Sequence, residues 1–154
     1  MKRDQACLTD PLILEVMACW DRIRGSRRMP RREEIDPLLL PRRALPHIFI
    51  ADVVDGTFRY RLAGTDYELN FGRSLKGCRL QDLPLGTEEA SVFGQFEEAA
   101  ATALPTYCEH DFIDARGLRM VYRRLLLPLS PNGDLVTGLF GICVFSAPHG
   151  ANDR

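Results

Sequence analysis

Metal-site cysteine spacing is missing from this chain: its five cysteines (Cys7, Cys19, Cys78, Cys108, Cys143) are odd in number and none stands in a C-x-x-C pair. Structural zinc needs thiolates or Cys/His pairs a few residues apart, so no metal module is expected. Cys19, Cys108 and Cys143 lie in apolar segments, where a free thiol behaves as a small hydrophobe. No apolar stretch follows a basic start, and no run approaches the roughly 18 residues of a membrane span. The expectation is a cytoplasmic, reduced protein without membrane contact. Charge of one sign is also missing: the formal net is −1 and the pI about 6.3, so the overall field steers neither nucleic acid nor anionic lipid. There is no G-x-S-x-G elbow, P-loop, H-E-x-x-H or kinase signature. Glu97 and Glu98 are neighbours on a predicted helix, so they point about 100° apart and cannot work as a pair. No enzyme is expected.

What is present fits one domain: 154 residues, 45% of them apolar, suffice for a core. After a polar lead-in, Asp10-Pro11 offers an N-cap acceptor and a proline at the first helical position. Leu12, Val16, Cys19, Trp20 and Ile23 recur at helical spacing until Gly25, an amphipathic helix of about four turns. Residues 26–46 follow, with prolines at 30, 37, 41 and 46 that forbid a long helix. They read as an ordered arm wrapped on the domain, because Ile35 and Leu38 to Leu40 suit solvent poorly; a disordered linker is the alternative. Asp36-Pro37 opens a short turn of helix.

From residue 47 the pattern becomes sheet. Segments 47–54 and 57–63 flank Asp55-Gly56, a strong hairpin signal. A short helix over 66–71, a turn at 81–83 and a helix from 88 to about 103, capped by Thr87, come next. Strands are predicted over 106–114, 118–130 and 134–145, joined by the turn-rich Ala115-Arg116-Gly117 and Pro131-Asn132-Gly133. Residues 147–154 are a polar tail. The last strand is apolar on both sides, with Val136, Phe140, Ile142 and Val144 on one and Leu135, Leu139, Cys143 and Phe145 on the other. Both faces therefore need a cover. The inserted helices supply one, and the N-terminal helix, from the same or a second molecule, supplies the other, which should bury Trp20. The fold class is α+β: five antiparallel strands with helices inserted between the second and third. The divisions are 1–46 (helix and arm), 47–146 (core) and 147–154 (tail).

The segment R-Y-R-L-A-G-T-D-Y-E-L-N-F-G-R-S-L-K-G-C-R-L-Q-D-L, residues 59–83, resembles the corresponding part of PAS sensory domains. The Trp20 helix, R-R-M-P-R-R-E-E-I-D-P at residues 27–37 and L-P-H-I-F-I at 45–50 are similar to the small single-domain bacterial family called the fifth PAS family. The resemblance covers about residues 12–146. It implies a regulatory or sensory role through a signalling partner or a homodimer; it supplies neither ligand nor catalytic residues.

Three chemistries compete for the core. Gly77-Cys78-Arg79-Leu80-Gln81 looks like part of the flavin signature of light-oxygen-voltage domains. It lacks their Asn before the cysteine, their aromatic before Leu-Gln and a glutamine in the last strand, so a flavin adduct is not expected. Haem in oxygen-sensing PAS domains hangs from a histidine on the long helix; here the histidines are His47, His110 and His149, none of them on it, so haem is not expected either. A small-molecule pocket between sheet and helices remains. Tyr67, Phe71, Phe93, His110 and Tyr122 are its candidate lining, and Arg124, on the strand face of Tyr122, suits a carboxylate or phosphate. The plain alternative is that the aromatics fill the core and Arg124 reaches the edge or pairs with Glu109 or Asp111. The arm's eight arginines between 22 and 43 face three acids, a net of +5. With no aromatic among them they read as a solvated or internally paired face rather than a nucleic-acid site.

Overall fold

The computed structural model describes residues 8–85 and 89–146. The expected Thr87 cap, the first residue of its helix and the polar tail after Ser146 lie outside them. Helix α1 spans Pro11–Arg24; the Asp10 carboxylate accepts from the backbone N–H of Leu12 and Ile13 at 2.9 and 3.1 Å. Strands β1 (Ile48–Val54) and β2 (Thr57–Ala63) form the hairpin. Asp55 and Gly56 both take positive φ, 50° and 73°, the backbone a two-residue turn needs to follow the strand twist. Helix α2 (Thr65–Phe71), a 3-10 turn at Leu80–Asp82 and helix α3 (Glu89–Thr102) follow, then β3 (Thr106–Ile113), β4 (Arg119–Leu129) and β5 (Gly138–Ser146). All neighbours are antiparallel, in the order β2-β1-β5-β4-β3.

The register sorts the side chains. Phe49 faces Gly141 and Arg124 faces Cys143, which puts Phe49, Tyr122, Arg124, Cys143 and Phe145 on the face that meets α2 and α3. The other face carries Leu125, Leu127, Leu129, Phe140 and Ile142, all fully buried. Their cover is α1 of the same chain, which packs on β4 and β5 and buries Trp20. Among the described residues no helix is long and apolar enough to cross a membrane.

Two expectations are corrected. β5 begins at Gly138 rather than at 134. The Asn132 side chain accepts from the backbone N–H of Asp134 and Leu135 and folds that segment into a turn, leaving Leu135 65% exposed. The arm is ordered, as three 3-10 turns, Arg32–Glu34, Pro37–Leu39 and Arg42–His47. It buries Ile35 and Leu40, yet Leu38 and Leu39 stand out into solvent, 90% and 57% exposed.

The arm's charges pair locally. Arg27 grips Glu34 with two hydrogen bonds of 2.6 and 2.8 Å, and Arg32 reaches Asp52 at 4.0 Å. The Arg27 guanidinium and the Arg31 backbone N–H hold the Glu34 carboxyl down to about 2, against an ordinary 4.5. A carboxylate whose pKa is lowered by folding stabilises the fold above its unfolded value and loses that contribution as pH falls through the folded one. The arm should therefore loosen between pH 4.5 and 2. Glu34→Gln should raise backbone amide exchange over residues 27–35 at pH 7 and abolish the acid step; equal exchange in the two proteins would refute it. The effect stays local because both partners are partly solvated.

Candidate functional site

Between the inner face of the sheet and the inserted helices lies a cavity of about 20 Å³, room for one water molecule. Each strand contributes by its alternation: Phe49 from β1, Tyr60 from β2, Tyr122 and Arg124 from β4, Cys143 and Phe145 from β5. Tyr67 and Phe71 close it from α2. Leu80, Leu83 and Leu85 close it from the turn region, and Val92 from α3. The Tyr67 hydroxyl is already committed, donating to the His47 carbonyl at 2.7 Å. Its ring stands edge-on to Phe49 and Phe145 at 5.7 Å.

The exception in this apolar wall is Arg124, only 6% exposed. Its Nε donates to Gln95 Oε1 at 2.8 Å. The guanidinium carbon lies 5.4 Å from the Phe96 ring centre and 5.2 Å from that of Tyr122. Nη2 is buried without a hydrogen-bond partner. Among the described residues no carboxylate pairs with it: Glu109 goes to Arg123 and Asp111 to Arg119, which corrects the expected alternative. Burial works against the guanidinium charge, but attraction to Tyr122, Cys143 and Tyr60 in their ionised forms outweighs it in alkali and the pKa is raised. Burial in turn pushes the Cys143 thiol up to about 12 and the Tyr60 hydroxyl upward as well. Both are neutral at pH 7, so neither balances the cation. Cation–π contact contributes about 0.5–2 kcal/mol, against a desolvation penalty of several kcal/mol for an unpaired buried ion. Among the described residues nothing neutralises the positive charge of this site.

Four of the sequence-derived candidates, Tyr67, Phe71, Tyr122 and Arg124, meet at this cavity. Two stand apart from its lining. Phe93 packs edge-on against Phe58 at 5.6 Å, and His110 is buried on β3 with its ring 5.3 Å from Tyr122. His149 lies outside the described residues. Gln95, which bonds Arg124, is not among the sequence candidates, nor are Phe49 and Tyr60 of the lining. Gln95 Nε2 donates to the carbonyls of Thr106 and Arg124, both at 3.2 Å, while Oε1 takes Arg124 Nε. One side chain thus ties α3 to β3, β4 and the buried cation.

Solved structures place this architecture. The Rhodobacter sphaeroides LOV protein matches with a TM-score of 0.56 at 13% identity, over 93% of this chain and 71% of that one. The LOV domain of a blue-light-activated histidine kinase from Erythrobacter litoralis gives 0.54 at 17% identity, over 66% and 96%. The PAS domain of a Colwellia psychrerythraea protein gives 0.51 at 15% identity, over 71% and 96%. Identities this low establish the fold alone. No curated protein matches the sequence. A flavin does not fit the residues here. Cys78, whose sulfur an adduct would need, is not in the cavity lining. The Cys78 sulfur contacts Arg73 at 2.9 Å, and β5 offers no amide on its inner face. At the level of sequence, a family model described as PAS domain, that of the fifth PAS family, matches residues 9–144. The chain belongs to the PAS domain family.

Proposed function

We propose that this protein is a cytoplasmic sensory or regulatory module that binds a small ligand in the sheet–helix cavity and signals through a protein partner or a change of dimer, without catalysis of its own. The observation that carries this reading is the buried Arg124 charge in the cavity wall, without a carboxylate partner among the described residues. A filled apolar core has no use for such a group. Occupancy would reach the surface through Gln95, which joins the cation to α3 and to the edge strand β3. A ligand that prefers one arrangement of that clip shifts its population. Native mass spectrometry of the protein purified without additives tests the reading. The expected result is a stoichiometric extra mass that survives desalting and leaves on denaturation.

A second reading is favoured by the small cavity and by the exposed Leu38 and Leu39: a ligand-free adaptor that docks other proteins through α1 and its arm. A single, unliganded mass would put that reading ahead.

A further inference from the structure

Resting on the ligand-binding reading, we infer that the ligand is a small organic monocarboxylate whose carboxylate pairs with Arg124 and whose apolar body lies against Phe71, Tyr67 and Phe145. Charge decides the first half. Among the described residues the lining presents one cation, with one buried N–H vector at Nη2 unused; its other polar groups are the Tyr60 and Tyr122 hydroxyls, the Cys143 thiol and the Tyr67 hydroxyl, the last already donating to the His47 carbonyl. A carboxylate supplies one negative charge and an acceptor for Nη2, and a charge-assisted bond of that kind is about twice as strong as one to a neutral acceptor. A phosphate dianion would bring a second negative charge that no second cation of the lining meets. A neutral ligand would leave the guanidinium as it is.

Size decides the second half. A carboxylate is larger than the single water that the closed cavity admits. The body must therefore enter by displacing side chains at the margin. Phe71 and Phe145 are the half-buried members of the lining, whereas Phe49, Tyr60 and Tyr67 are fully buried. Turning those two rings outward makes room for a body of a few carbons or one ring.

The test uses the full chain and matched probes: sodium butyrate against butyramide, benzoate against benzamide, and inorganic phosphate, titrated by backbone-amide NMR. The expected result is saturable shifts around Arg124 and Phe71 with at least one acid, the paired amide at least tenfold weaker and phosphate without effect. Arg124→Met should bring the acid-to-amide ratio close to one, and Arg124→Lys, which keeps the charge, should preserve part of the preference. The acid/amide comparison on the unmodified chain stands even if a variant fails to fold. Equal binding of acid and amide overturns the inference and leaves the pocket reading standing, as does a preference that survives Arg124→Met. Phosphate binding in place of the acids overturns it in favour of a dianion. No shift with any probe at millimolar concentration overturns both the inference and the pocket reading.

Discussion

Trp20→Ala should lower the unfolding free energy by about 3–5 kcal/mol, the range for deleting a fully buried aromatic. Trp20 is 3% exposed on the α1 face that covers β4 and β5, and its Nε1–H donates to the Pro128 carbonyl at 3.1 Å. The substitution empties a space between α1 and strands β4 and β5 and takes the Trp20 donor from the Pro128 carbonyl, a loss that alone costs about 1–3 kcal/mol where the carbonyl is left unpaired. Trp20→Phe keeps most of the apolar area and loses the hydrogen bond, so it should cost about 1–2 kcal/mol by the same reasoning. Chemical unfolding followed by circular dichroism reads both, since Trp20 is the sole tryptophan. At about 2–4 °C per kcal/mol for a chain of this size, the alanine variant should also melt some 10 °C lower. A loss below about 1 kcal/mol would mean that α1 does not hold the outer face of the sheet. A fully water-exposed emission spectrum in the unmodified protein would say the same.

What the sequence made legible follows from how local each signal is. Asp10-Pro11 and Asp55-Gly56 carry their structure within two residues, and both appear where expected. The cover on both faces of β5 was readable because a strand apolar on both sides permits nothing else. The start of β5 was not, because Val136 continues the apolar alternation while the Asn132 carboxamide competes for the same backbone N–H groups. The run Leu38-Leu39-Leu40 looked uniformly buried. In the structure a 3-10 turn over Pro37–Leu39 leaves the first two outside and buries the third. The cavity was half legible. Aromatics on α2 point inward because α2 has one buried face, but which face of β1 or β2 is inner depends on partner strands and helices farther along the sequence. Phe49 and Tyr60 were missed for that reason, and Phe93, chosen for its place on the long helix, and His110, on the third strand, fall beside the cavity rather than in its wall. Gln95 had a signal: it lies within the buried stripe of Val92, Phe96 and Ala99, where a lone amide needs a partner.

Phe49→Ala should cost about 3–5 kcal/mol, and its context makes a sharper prediction than its size. The ring is 1% exposed, edge-on to Tyr60 and Tyr67 at 5.2 and 5.7 Å and parallel to Phe96 at 5.8 Å. It lies across Gly141, its register partner on β5, so closely that a Cβ at Gly141 would overlap it. Gly141→Ala in the unmodified protein forces the ring into the neighbouring aromatics, an overpacking of about 1–3 kcal/mol. In the Phe49→Ala background the same substitution meets an emptied space. It should then be neutral or stabilise by up to about 1 kcal/mol through the less flexible unfolded chain. The two changes should thus couple by roughly 1–3 kcal/mol in a double-mutant cycle, where independent sites add within about 0.5 kcal/mol. A typical domain stability of about 5–15 kcal/mol leaves each variant folded enough to measure. Strict additivity would show that ring and glycine do not meet. Coupling of the expected sign would establish that the missing Cβ at Gly141 seats Phe49, and with it the wall that keeps the cavity beside Arg124 down to the size of one water.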